Sequence, residues 1–158
     1  MPESLFGLPV HPLLAHAAVV LVPLAAVMTI LVAVDPQRRS RFGILTWLLA
    51  ALAAVAAFAS RASGPGLGDA LYPTAVPDKV IQHESVGQTA PWFALALFGG
   101  ITALLLLDSD AKRRRGSGSA LLPSILVVVV VLVAMVAAMQ MLWAGWTGTA
   151  AHWGGVHA

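Results

Sequence analysis

Four long apolar stretches dominate the chain, separated by three polar connections. They run from about Leu13 to Val34, Phe42 to Ser60, Pro91 to Leu107 and Leu121 to Thr147. Each is close to the ~20 residues that cross a ~30 Å hydrocarbon core. None alternates like a barrel strand, and backbone in lipid must satisfy its own hydrogen bonds, so each is expected to be a helix. Allowing for helix ends, the spans fall at about 12–34, 42–61, 79–107 and 120–150. Residues 1–158 are therefore expected to form one all-α integral membrane domain, a four-helix bundle running up-down-up-down.

The connections add detail. Asp35 to Arg41 joins the first two spans, and Asp108 to Ser119 joins the last two. The middle connection, Ala62 to Lys79, holds Gly64, Pro65, Gly66, Gly68, Pro73 and Pro77, which predicts a loop. Asp78 after Pro77 predicts a helix start, since a carboxylate suits free amides at a positive helix end. Pro23 and Pro91 predict kinks or breaks in the first and third helices.

Composition agrees with a lipid solvent. Hydrophobic residues make up 59% of the chain and charged residues 10%, against roughly 25% charged in soluble domains. Mean hydropathy is +0.86. Of the nine basic residues, seven lie in the first and third connections (Arg38, Arg39, Arg41, Lys112, Arg113, Arg114, Arg115). Positive loops stay in the cytoplasm. Both termini and the middle connection are therefore expected on the extracytoplasmic side of a multi-pass cell-membrane protein. The net charge of +2 comes from these two clusters, and no basic stripe interleaved with aromatics points to nucleic acid. The absence of cysteine excludes disulfides, thiolate metal sites, covalent c-type haem and iron–sulfur ligation by this chain. The first ten residues carry Glu3 and no Lys or Arg, so they lack the basic region of a cleaved signal, and the first span is expected to be retained.

The histidines carry the candidate chemistry. His11, His16, His83, His152 and His157 all fall at or beyond the outer ends of the expected helices, and the cytoplasmic connections hold none. Imidazole near a membrane costs desolvation unless paired or ligating, and it is the commonest protein metal ligand. Three helices bring histidines to one level, and bundle cores are common metal and haem sites. Small residues accompany them. Gly145, Gly148, His152 and Gly155 share a face if the fourth helix continues, Gly87 follows His83 by four, and Ala15, Ala17 and Ala18 surround His16. They leave room for a macrocycle, or they serve close helix packing. His11 and His16 point about 140° apart on a straight helix, so they do not serve one ligand together. His16 is the deeper candidate, while His11 before Pro12 reads as an interfacial cap. Arg61 at the outer end of the second span could pair with a haem propionate, with Asp69 or Glu84, or act as a snorkelling anchor. Gln140 could make an interhelical hydrogen bond, and Trp92, Trp143, Trp146 and Trp153 suit an aromatic belt. Met135, Met139 and Met141 read as packing.

The run Gly7-Leu8-Pro9-Val10-His11-Pro12-Leu13-Leu14-Ala15-His16 resembles the opening G-x-P-x-H-P-x-x-V-H of the bacterial "domain of unknown function 2231" membrane family. His83-Glu84-Ser85-Val86-Gly87 is similar to its H-x-x-x-G, and His152-Trp153-Gly154-Gly155 to its C-terminal H-x-G-G/A. The resemblance covers nearly the whole chain. It implies four spans and, because relatives can be joined to Rieske-type or cytochrome-like modules, an association with electron transfer and haem.

Three functions follow as expectations. The first is a small b-type haem protein for electron transfer. His16 and His83 are its axial ligands on diagonal helices, His152 is an alternative ligand or second hydrogen-bond donor, and Arg61, Gly87 and Gly148 line the site. The second is a copper or zinc centre of His16, His83 and His152 with Glu84 or Asp69. The third is a non-catalytic subunit packing against a partner. The lipid bilayer, a redox partner protein and a second copy of the chain are the expected partners. No G-x-S-x-G, Walker motif or carboxylate pair supports a hydrolase or a phosphate site.

Overall fold

The computed structural model describes residues 4–5, 7–113 and 121–153. His157 and Gly155, both singled out above, lie outside them, as do Arg114 and Arg115. A short antiparallel pair, β1 (Ser4–Leu5) and β2 (Leu8–Pro9), precedes four helices, α1 (Val10–Val34), α2 (Pro36–Leu71), α3 (Asp78–Arg113) and α4 (Leu121–Trp153). Gly7 turns the hairpin at φ +79°, a left-handed conformation open to glycine. Pro9 ends β2 and directly precedes α1, so the hairpin fixes where that helix begins.

All four helices are long and apolar enough to cross a membrane. α2 and α3 have 36 residues each, or about 54 Å at ~1.5 Å per residue, so both outreach the hydrocarbon core. α1 packs against α2 and α4, and α3 packs against the same two, which leaves α1 and α3 across the diagonal. The interior is built of small side chains. Ala18, Ala25, Ala50, Ala53, Ala94, Ala134 and Ala137 are all fully buried. The exterior carries the large ones, including Val20, Leu24, Ile44, Leu52, Leu132 and Met139. Lipid is as apolar as leucine, so helices associate there by close backbone approach, not by hiding large side chains. Gly145 shows this at the α1/α4 contact. A Cβ there would stand 3.0 Å from Val19 Cγ2.

The helix boundaries differ from expectation in all three connections; in the third, α3 runs on past Asp108 to Arg113. The segment from Ala62 to Leu71 is helical, although its glycines and Pro65 predict a loop. Glycine and proline cost a helix about 1 and 3 kcal/mol each. Tertiary contacts that meet this cost include the His11 ring, which packs on Gly64 and bonds the Ser60 carbonyl. The first connection shrinks to a single residue. Asp35 caps α2, accepting from the amides of Gln37 at 2.8 Å and Arg38 at 3.2 Å, and Pro36 takes the first helical position. Asp35→Ala is expected to lower stability by about 1 kcal/mol, read as a lower melting temperature in detergent. Arg39 ties this end further, bonding the Ala33 carbonyl and pairing with Asp108 of α3 at 3.2 Å. Pro23 and Pro91 sit inside helices that continue past them.

Two other polar side chains bridge helices within the spans. Gln140 donates to Thr89 at 3.0 Å, the interhelical bond expected of it, and Trp47 donates to Thr102 at 2.9 Å.

Candidate functional site

Each helix turns a stripe of residues at three- and four-residue spacing toward the bundle axis. On α1 it runs Val32, Thr29, Ala25, Val22, Ala18. On α2 it runs Gly43, Thr46, Ala50, Ala53, Ala57. On α3 it runs Leu104, Ile101, Leu97, Ala94, Ala90, and on α4 Val130, Ala134, Ala137, Met141, Ala144. Continued outward at the same spacing, these stripes reach His11, Ser60 and Gly64, His83, and Thr147 with Gly148 beside it. The stripes end in one polar cluster at one end of the bundle.

There the rings of His11 and His83 meet across the diagonal, with centroids 6.1 Å apart and planes 66° apart. Each is held by the neighbouring helix of its own pair. His11 Nδ1 lies 2.9 Å from the carbonyl oxygen of Ser60, which can only accept, so Nδ1 carries the proton and donates. The Ser63 hydroxyl also donates to that carbonyl, and its oxygen is 3.3 Å from Nδ1. His83 Nδ1 lies 3.2 Å from the hydroxyl oxygen of Thr147, a buried residue. That hydroxyl spends its proton on the Ala144 carbonyl at 3.0 Å, so it accepts from His83. His11 is thus fixed as the Nδ1–H tautomer, and the same tautomer of His83 suits its contact with Thr147; each then has its Nε2 lone pair left over, which is how ligating histidines are ordinarily oriented. Glycine backs each ring. A Cβ on Gly64 would stand 3.3 Å from His11 Cε1, and one on Gly148 would stand 3.0 Å from His83 Cε1. Gly87 is one turn inward on the His83 stripe, and nothing lies within 4 Å of where its Cβ would be.

The remaining candidates lie elsewhere. His16 is on the exposed face of α1, about 160° from Ala18 of the core stripe, and its Nδ1 engages the Pro12 carbonyl of its own helix. The pair that forms is His11 with His83, not His16 with His83. His152 is exposed and lies edge-to-face on Trp153, at 4.8 Å between centroids. Gly148 makes room for the His83 ring itself, where sequence reasoning had it clearing space for a ligand beside His152. Arg61 meets neither Asp69 nor Glu84. Its Nε donates to Gln88 of α3 at 2.6 Å, and its guanidinium sits 5.6 Å from the Trp92 ring centre. Among the described residues no group of three or more His, Asp or Glu side chains is placed to hold an ion, so the set of His16, His83 and His152 with Glu84 or Asp69 does not assemble.

Ser60, Gly64 and Thr147 are contributors that sequence reasoning missed, and His11 was undervalued. The available signal was the core stripe. Counting back seven residues from Ala18 on α1 lands on His11, while His16 falls off it.

No curated protein and no solved structure matches the chain. A family described as "Predicted membrane protein (DUF2231)" matches residues 7–158, a range that takes in both rings and every residue that holds them. With four helices long and apolar enough to cross a membrane, the chain belongs to the DUF2231 family of predicted membrane proteins.

Proposed function

We propose that this chain is a small electron-transfer protein of the membrane that binds one b-type haem between His11 and His83. The observation that carries the reading is the ring pair, two imidazoles from diagonal helices with each Nδ1 already committed and each Nε2 left over. Two nitrogens each ~2 Å from one metal ion put their ring centres about 6 Å apart, which is the spacing found here. Haem supplies a one-electron iron couple and its own four equatorial donors, so two protein ligands suffice. Held by both imidazoles, such a group would keep no open position for oxygen chemistry and would serve electron transfer. Ser60 and Thr147 set the tautomers and orient the rings, and Gly64 and Gly148 let the neighbouring backbones come close.

Of the clustered basic residues, Arg38, Arg39 and Arg41 open α2 and Lys112 and Arg113 close α3, at the opposite end of the bundle from the histidines. By the positive-inside rule the histidine end is extracytoplasmic, so a redox partner protein would meet it there. A bare copper or zinc ion is the second reading, favoured by the same ring spacing. It needs further ligands, since protein zinc sites are tetrahedral.

Visible spectroscopy of the detergent-purified protein, expressed with haem supplied, tests the proposal. A Soret band with sharp split bands on reduction supports it. Colourless protein with stoichiometric copper or zinc supports the second reading, and colourless protein without metal overturns both. Thr147→Val removes the acceptor for His83 Nδ1 at nearly constant volume. It is expected to weaken haem binding about 10- to 100-fold, measured by haem titration.

A further inference from the structure

A second feature lies on the outside of the bundle, away from the rings. An apolar groove of about 610 Å³ runs between α2 and α3, lined by Ala51, Val55, Ala59 and Ala62 on one side and Leu95 and Phe98 on the other. Val55 is 65% exposed, so the groove opens toward lipid. Phe58 and Trp92 meet edge-to-face at 5.3 Å and bridge the two helices at this level. Arg61 follows one turn beyond Phe58, at the end of the groove nearer the histidines. Its Nε is fixed by Gln88 and its guanidinium carbon lies 5.6 Å from the Trp92 ring centre, but no carboxylate among the described residues pairs with it. A half-buried guanidinium held in place, with two terminal nitrogens and an uncompensated charge, stands at the head of an open apolar trough. Arginine's fork matches phosphate oxygens. The alanines on α2 make the trough where a leucine would fill it.

We propose that the α2/α3 groove seats one acyl chain of an anionic phospholipid whose phosphate is held by Arg61. Charge complementarity selects this occupant over a neutral one. The apolar lining takes the chain, and the unpaired cation at its end takes the headgroup. A snorkelling arginine without a groove would bind any phosphate weakly, and a groove without the arginine would take any acyl chain. Together they discriminate anionic from zwitterionic lipid, because a choline cation would lie against the guanidinium. The inference does not depend on haem.

Trp92 provides the readout. The protein is reconstituted in mixed phosphatidylglycerol and phosphatidylcholine vesicles, with one or the other lipid brominated near the carboxyl end of its acyl chains. The Trp92 contribution to fluorescence is taken as the difference between the wild type and Trp92→Phe. Brominated phosphatidylglycerol is expected to bind beside Trp92 about fivefold more tightly than brominated phosphatidylcholine. Arg61→Gln is expected to abolish this preference while leaving the melting temperature near wild type. Ala59→Leu, which fills the groove and keeps Arg61, is expected to reduce quenching by both lipids. Equal quenching by the two lipids, or a preference that survives Arg61→Gln, overturns the proposal. So does shielding of Trp92 from both lipids in the wild type, which is the mark of a second copy of the chain lying in the groove.

Discussion

His11→Ala and His83→Ala are each expected to abolish the Soret band, and His16→Ala to leave it intact. The contrast follows from geometry. His11 and His83 face each other with their Nδ1 atoms held, and His16 sits on the exposed face of the same helix, bonded to the Pro12 carbonyl. On the proposed reading, removing either imidazole would leave haem with a single protein ligand and a cavity where the ring stood. The loss should also appear as reduced thermal stability. A ligand present at a hundred times its dissociation constant stabilises a fold by about 2.7 kcal/mol, and that increment vanishes with the site. Absorbance and melting temperature measured on the three variants side by side decide the matter. A spectrum lost in His16→Ala and kept in His11→Ala would reverse the assignment of the pair.

Gly148→Val carries the second large effect. A Cβ at this position already stands 3.0 Å from His83 Cε1 and 3.4 Å from Nδ1, and a branched side chain adds two methyl groups. The ring has little freedom to yield, since its Nδ1 is tied to Thr147 on the same helix as Gly148. Overpacking of this kind costs about 1–3 kcal/mol. It also turns the imidazole away from its partner, so haem affinity should fall together with melting temperature. Gly66→Ala is the matched control. It lies in α2 with nothing within 4 Å of the new Cβ, and replacing a helical glycine by alanine should stabilise by up to about 1 kcal/mol. If Gly148→Val binds haem as the wild type does, the close packing of α4 on His83 does not govern the site.

The sequence discloses the four spans because lipid leaves little choice. A segment must be apolar for about twenty residues and close its own hydrogen bonds. It discloses helix ends poorly, since they depend on contacts made elsewhere. Gly64, Pro65, Gly66 and Gly68 read locally as a loop, yet they lie in α2 where His11 docks. The gathering of histidines at one end is legible from their positions alone. Their pairing is not, because it depends on which face of each helix meets the axis. His16 lies deeper along the chain and so looked better placed. The rotation set by Ala18, Val22 and Ala25 turns it outward and turns His11 in. The resemblance at residues 7–16 extends to the whole of 7–158, but it does not tell one histidine of that motif from the other.

The way the two rings are held has a consequence for assembly. His11 is oriented wholly by α2, through Ser60, Ser63 and Gly64, and His83 wholly by α4, through Thr147 and Gly148. Each half-site is therefore complete within one helical hairpin, and the first can form during synthesis before the second has left the ribosome. The two imidazoles meet only at the seam where the hairpins dock. A group bound between them, as proposed, would act as a rivet between two prefabricated halves, so that loosening its grip would also loosen the bundle.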